Sequence, residues 1–507
     1  MIAAPPRPEA FAALATTRPA PAGASFLRHG AHARRMLLLK ALLVRVRRHR
    51  ADVAPEILRG FRTAWRLLET AERAAPASAR AVLDYPTTGA WLAAALTEPL
   101  GPAFDRHLTR LELVAVTAAL RAGRPLDLEV GAPGGVLSLP GVGSVLVNPE
   151  GAADAGPVPG SGAGPYAARG THAHAHPARD AHPGAYTDAH PDPSPDRTPG
   201  GNPNPTPSGP TVDPTPTVDP TPTVNPTATP TPTVHLTSRS HVVRVRADSA
   251  PGATVALLRR EDARTGAVAG TGPGWRGLRA LPGGAARLED LDPYRVPPGG
   301  VGTPARVAAE RPDVDHATWA GHWRAAGELL RRTDRERAAE VGHTVGALVP
   351  LRPQGPRSVG ATLSVAPGAV LMTPSAGPYD MAETLVHELH HSKLSTLHEL
   401  VPLYRPGRAA LYRVGWRTDA RPVAGVFQGA YAHLALADLW RRARDAPGVP
   451  GAWSARAVQQ FDHVHDQVGE ALAMLLESDE LTNEGREFAR QMRQLHASLG
   501  ASPTARG

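Results

Sequence analysis

His387, Glu388 and His391 carry the strongest chemical signal in this chain of 507 residues. They spell His-Glu-x-x-His within the run Leu385-Val386-His387-Glu388-Leu389-His390-His391-Ser392-Lys393-Leu394. Residues four apart on a helix stand one turn above each other on one face, so two imidazoles at that spacing can hold one metal ion with Glu388 beside it. Met381, Ala382, Leu385 and Leu389 favour helix, and Asp380 with Glu383 three residues on reads as a capping box at its start. His390, about 100° from His391 around such a helix, is expected at the surface or behind a ligand rather than on the metal.

An open catalytic site needs a third protein ligand. A metzincin would have Gly at 394 and His at 397, where this chain has Leu394 and Leu397. The other familiar zinc-protease pattern places a Glu on a later helix. Glu399 lies too soon after His391, before Pro402 ends the helix, to serve. Further on, Val414 to Pro422 forms a loop rich in charge and aromatic surface, and Gly425 to Trp440 reads as helix. His433 on that helix is the best third ligand, with Gln428, Asp419 and Asp438 behind it.

The elements that position these residues follow from composition and period. Residues 1–24, rich in Pro and Ala, read as a disordered leader. Residues 25–125 read as an all-helical module. One helix carries Leu37, Leu38, Ala41, Leu42 and Val46 inward, and a second, Pro55 to Ala74, carries Ile57, Leu58, Phe61, Trp65 and Leu68. Its His29, His32, His49 and His107 are scattered and read as solvated. The period turns to two over 126–148 and 241–260, giving short strands. Between them, residues 149–240 read as a disordered Gly/His/Pro/Thr-rich insertion joining neighbouring strands; it ends in a Pro-Thr repeat that favours polyproline II. Its His172, His174, His176, His182 and His190 lack a scaffold to hold a metal. From 270 to 500 the chain reads as the metal-site domain. It has helix from Asp315 to Arg332, strands at Ala347–Leu351, Ala361–Val365 and Ala369–Met372, and then the motif helix. The fold class expected is α+β, mostly helical.

With no Cys, disulfides, thiolate metal sites and Cys nucleophiles are excluded. The formal charge of +8 is spread among mixed charges and aromatic residues make up 5%. A nucleic-acid partner is therefore not expected, and a basic surface facing an acidic peptide or a dicarboxylate fits at least as well. The longest apolar run, Met36 to Val44, is interrupted by Lys40 and is too short to span a bilayer. No signal peptide is evident, and a cytoplasmic protein is expected.

The run Leu385 to Leu403, the Trp416-Arg417 and Asp419-x-Arg421-Pro422 loop, and Gln428-Gly-Ala-Tyr-Ala-His433 together resemble the HExxH-motif peptide-modification proteins of actinobacteria. The resemblance extends to Arg34-Arg35-Met-Leu-Leu-Leu-Lys40, Asp290-Leu-Asp292-Pro-Tyr-Arg295 and Leu481-Thr482-x-x-Gly485-Arg486-x-Phe488, and so covers most of the chain. The Pro/Thr insertion has no counterpart. The family includes stand-alone proteins and domains fused to radical-SAM enzymes, in gene clusters for ribosomally made peptides, and some members are understood as iron- and α-ketoglutarate-dependent peptide β-hydroxylases. The resemblance implies Fe(II) and α-ketoglutarate as cofactors, a precursor peptide as substrate, and a radical-SAM maturase as a partner in the pathway.

Such oxygenases hold Fe(II) on two His and one further ligand and leave positions for a 2-oxoacid and O₂. The distal carboxylate of α-ketoglutarate needs a cation, for which Arg417 and Arg421 are the candidates. Glu388 would position a ligand or a water; in a zinc metallopeptidase, the runner-up, it would be the general base. Ser392 and Lys393 are candidates to orient substrate or co-substrate. Asp290, Asp292 and Arg295 read as a structural charge network. A third alternative is a non-catalytic peptide-binding module with a structural metal.

Overall fold

The computed structural model describes residues 8–148, 232–239, 241–248, 253–302, 304–355, 358–405, 410–417 and 419–500, and the backbone of one further strand, Thr171–His174. The fold is α+β and mostly helical. Its first half holds α1 (Pro8–Ala15), α2 (Pro21–Arg48), α3 (Pro55–Ala74), α4 (Pro76–Leu83), α5 (Pro86–Thr97) and α6 (Pro102–Ala122). Each opens on a proline, whose fixed φ suits the first helical turn and whose missing N–H is one the turn leaves unpaired anyway. This corrects the reading of residues 1–24 as a disordered leader. From residue 8 onward the Pro/Ala-rich stretch is two helix starts filled with helix-forming Ala, and Tyr431 Oη donates to the Leu14 carbonyl at 2.7 Å. On α2 the inward face is Leu39, Leu42 and Val46, whereas Leu37 is 54% exposed, so the expected face is rotated. His32 and His107 are not simply solvated either: His32 pairs with Asp84 at 2.9 Å and His107 meets Tyr294 Oη at 2.8 Å.

Five antiparallel strands pack with this helical half, in the order Asp127–Gly131, Thr233–Arg239, Val242–Ala247, Thr254–Arg260, Val268–Thr271. Thr233–Arg239 lies within the stretch expected to be insertion. Its Val234 and Leu236 are buried in alternation, and the cue is short because it directly follows the Pro/Thr repeat. The preceding strand, Gly143–Leu146, belongs to a different, three-stranded sheet with Val136–Leu139 and Trp275–Gly277, so the insertion joins two sheets rather than neighbouring strands. Apart from Thr171–His174, the expected disordered stretch up to residue 231 lies outside the described residues.

The second half is built on a mixed sheet ordered Arg279–Ala280, Arg287–Leu288, Ala347–Pro350, Ala369–Met372, Gly360–Leu363, Thr171–His174. The helices of this half are α7 (His316–Thr333), α8 (Arg335–Thr344), α9 (Pro378–Leu400), α10 (Val423–Asp445), α11 (Gly451–Glu477) and α12 (Asn483–Gly500), of which α9 packs on the sheet and α7, α8 and α10 pack on α9. Asp315 caps α7 by accepting from the Ala317 and Thr318 amides, and Asp334 caps α8 from Glu336 and Arg337. The motif helix α9 starts one turn earlier than expected: Pro378 takes the first position after Gly377, and Asp380 and Glu383 pair with Arg456 instead of forming a capping box. Among the described residues no helix is long and apolar enough to cross a membrane.

The charged and polar segments remote from the motif have structural partners. Arg34 pairs with Glu399 at 2.8 Å, tying α2 to the end of α9. Asp290 pairs with Arg279 and Asp292 with Arg110, and Arg295 donates to the Asp292 carbonyl at 2.9 Å. Thr482 donates to the Pro402 carbonyl at 2.7 Å and accepts from the Gly485 amide at 2.9 Å, fastening the start of α12 to the chain leaving α9.

Candidate metal centre

α9 and α10 pack side by side, and α10 is buried along almost all of Val423–Trp440. Gly425 and Gly429 face the loop before α10, where an added Cβ would meet Arg421 and Trp416. His387 and His391 bring their Nε2 atoms to 2.9 Å, with ring centroids 4.5 Å apart. His433 from α10 stands edge-on to His387, at 5.0 Å and 88°. All three are buried.

The outer nitrogens are already engaged. His391 Nδ1 donates to Gln428 Oε1 at 3.2 Å, and Gln428 Nε2 donates to Ser395 Oγ at 3.0 Å. His433 Nδ1 donates to the Gly429 carbonyl at 2.8 Å. The network assigns the proton of both rings to Nδ1 and leaves each Nε2 with its lone pair, the arrangement a ligating His needs. Metal–nitrogen bonds of about 2.1 Å at a right angle put two nitrogens ~3.0 Å apart, so the His387–His391 separation suits a shared ion. Two imidazoles with assigned tautomers and a third ring beside them fit Zn(II) or Fe(II) by donor type.

No family model and no curated protein matches this chain.

Glu388 is fully buried, and among the described residues neither carboxyl oxygen meets a hydrogen-bond partner in good geometry. Burial pushes its carboxyl well above the usual range; the Thr362 hydroxyl is close enough to oppose this slightly but does not reach bonding geometry. The carboxyl lies against strand Gly360–Leu363, where a Cβ on Gly360 would sit 2.6 Å from Glu388 Oε1. Only glycine lets the strand approach α9 so closely.

The loop before α10 folds back along that helix. Trp416 stacks on His433 at 4.5 Å and 16°, and its indole fills the groove left by Gly429, where a Cβ would be 2.7 Å from it. Arg417 Nε pairs with Asp419 at 2.7 Å and Arg421 Nη2 pairs with the same carboxylate at 3.0 Å. Asp419 is 53% exposed, and Arg417 holds its carboxyl below the usual range. The structure thus brings Arg417 and Arg421 to one carboxylate, and Trp416, next to Arg417, is in contact with the His cluster.

The other side of α9 is a buried polar network, which corrects two expectations. His390 is not at the surface. Its Nδ1 donates to the Val386 carbonyl at 2.7 Å, and Arg337 Nη1 meets Nε2 at 2.9 Å, so it is a neutral ring; burial, then Lys393 and Arg337, lower its pKa well below the ordinary value. Lys393 pairs with Glu340 at 2.7 Å instead of facing a substrate. Of the fallback ligands, Asp438 pairs with Arg337 at 2.9 Å, Asp419 is held by the arginines, and Gln428 orients His391.

A second group went unread in the sequence. Glu129, His235 and Asp248 are exposed, with candidate ligand atoms all within 4.8 Å of one another. Antiparallel pairing sets Glu129 opposite His235, and His235 Nε2 lies 2.9 Å from Asp248. Strand Thr233–Arg239 had to be recognised before these residues could be brought together.

Proposed function

We propose that this chain is an Fe(II)- and α-ketoglutarate-dependent oxygenase that hydroxylates a side-chain β-carbon of a ribosomally made peptide, in keeping with its resemblance to the HExxH-motif peptide-modification proteins. The observation carrying this is the buried His387–His391 pair, Nε2 to Nε2 at 2.9 Å, with His433 edge-on beside it and two outer nitrogens held. His387, His391 and His433 would hold the metal. Fe(II) held there would activate O₂, which is the oxidant: two electrons come from α-ketoglutarate, giving succinate and CO₂, and two from the peptide C–H, giving C–OH.

The protein's own groups do the rest. Arg417 or Arg421 would take the distal carboxylate of α-ketoglutarate in place of the exposed Asp419, a bidentate exchange of one carboxylate for another. Trp416 covers one face of His433 and keeps water from it. Gln428 holds the tautomer of His391. Glu388 would orient a ligand water or the peptide. A cytoplasmic setting and a radical-SAM maturase acting on the same peptide belong to this reading, and the formal charge of +8 suits an acidic peptide. One observation favours a zinc metallopeptidase instead: Glu388 is buried next to His387, and among the described residues neither of its oxygens meets a partner in bonding geometry, which suits a general base beside a metal-bound water.

The test is anaerobic reconstitution with Fe(II), then α-ketoglutarate and air, following succinate by mass spectrometry in wild type and His387→Ala. Succinate that depends on iron and on His387 is expected. No succinate, with zinc held tightly and a peptide cleaved only when Glu388 is intact, moves the assignment to the peptidase. Metal whose removal unfolds the chain, with neither activity, makes it a structural site in a peptide-binding module.

A further inference from the structure

The mixed sheet ends in a strand that the sequence pattern does not announce. Thr171–His174, from within the insertion, runs antiparallel to Gly360–Leu363 in the register Gly360↔His174, Ala361↔Ala173, Thr362↔His172, Leu363↔Thr171. The other edge of Gly360–Leu363 is taken by Ala369–Met372, so the insertion strand occupies the outer edge. A sheet edge is a row of main-chain N–H and C=O groups that will pair with any extended chain. Thr-His-Ala-His has no apolar alternation, so this pairing depends on the main chain and is largely indifferent to sequence.

The edge lies beside the motif helix. A Cβ at Gly360 would meet Glu388 Oε1 at 2.6 Å and Thr384 Cγ2 at 2.7 Å. Around α9, Thr384 is ~20° and Glu388 ~60° from His391, at about 100° per residue. The strand therefore runs along the His391 side of the helix, and a chain added to it lies ~4.8 Å further out.

We propose that the outer edge of Gly360–Leu363 is the docking edge for an extended peptide, and that Thr171–His174 holds this edge in cis and must leave before a peptide binds. This rests on the reading of the chain as a peptide-modifying enzyme and adds to it the mode of recognition and a built-in competitor. Peptide specificity is then set by side chains flanking the edge, while affinity comes from the main-chain ladder.

The test uses the full chain without metal, in EDTA, so that His residues of the insertion cannot tether through an ion. Two variants are made, His172→Pro and Ala173→Pro. Successive amides of a strand point to opposite sides, so one of the two removes a ladder hydrogen bond. The probe is a fluorescein-labelled peptide of residues 168–177, read by anisotropy. At least tenfold tighter binding to one proline variant than to wild type is expected. In that variant the outward-facing amides of 360–363 should exchange hydrogen at least tenfold faster and regain protection when the peptide is added. Equal peptide binding by wild type and both variants, or unchanged exchange at 360–363, overturns the proposal. Because iron is absent from this experiment, it separates from the succinate assay. Docking without succinate removes the oxygenase reading alone, and succinate without docking removes the edge alone.

Discussion

Gln428 matters more to a metal at His391 than a neutral side chain suggests. Its carbonyl accepts from His391 Nδ1 while its amide is pinned by Ser395, so it fixes both the tautomer and the angle of the ring. Removing such an outer partner costs about 10–100-fold in metal affinity. Gln428→Ala is expected to weaken Zn(II) or Fe(II) binding by that factor in a chelator competition, with the fold kept. Gln428→Glu, which accepts more strongly, should hold affinity at or above wild type. Equal affinity for all three proteins would reduce Gln428 to a packing residue. The two motif histidines were legible because their spacing is local. From the sequence Gln428 reads only as a fallback ligand behind His433, and its supporting role is not legible. It sits 37 residues from His391 and reaches it only because α10 lies along α9.

Two glycines in helices show why sequence alone ranks positions poorly at the scale of elements. Gly327 in α7 has nothing within 4 Å of an added Cβ, so Gly327→Ala should gain the helix-propensity difference of about 1 kcal/mol and raise the thermal midpoint. Gly485 in α12 would gain the same preference, but its Cβ would overlap the Leu403 carbonyl, a backbone atom that cannot swing aside. Overpacking of this kind costs about 1–3 kcal/mol, so Gly485→Ala should lower the midpoint and shift the urea transition down. A second element-scale expectation concerns the join between the helical half and the mixed sheet. There Tyr85 Oη donates to Glu289 Oε2 at 2.6 Å. Burial, with Asp292 adding to it, lifts the Glu289 carboxyl to about 7. The folded state thus binds the proton more tightly than the unfolded chain. The stabilisation from Glu289 is full below about pH 4.5 and is lost as pH rises through about 7. Glu289→Gln should flatten the fall in thermal midpoint between pH 5 and 7.5; an unchanged slope would assign that fall to other groups. The helix starts were visible as prolines, yet Pro8 and Pro21 were masked by their Ala-rich company, because the same composition suits a disordered leader.

For the whole molecule, the insertion has its two ends on one turn. The Val147 amide donates to the Gly135 carbonyl at 2.9 Å, and the Ala132 amide donates to the Pro232 carbonyl at 2.8 Å. Residues 132 and 135 are themselves joined by the Gly135 amide to Ala132 carbonyl bond. Three residues of chain cannot span more than ~11 Å, so a short linker can bridge what the insertion bridges. Added chain length raises the cost of closure only slowly, so removing the insertion is expected to change stability little. Replacing residues 149–231 by a short Gly/Ser linker should leave the thermal midpoint within a few degrees and metal affinity unchanged. Carrying the excision to Ser240, the boundary that composition suggests, should fail. It removes Thr233–Arg239, which pairs with both Asp127–Gly131 and Val242–Ala247 and buries Val234 and Leu236 in the core. That nine-residue difference separates a removable stretch from the second strand of a five-stranded sheet, and circular dichroism with a melting curve on the two deletions decides it. If both deletions melted alike, Thr233–Arg239 would not be part of the folding unit, and the Glu129–His235–Asp248 cluster mounted on it would lose its scaffold.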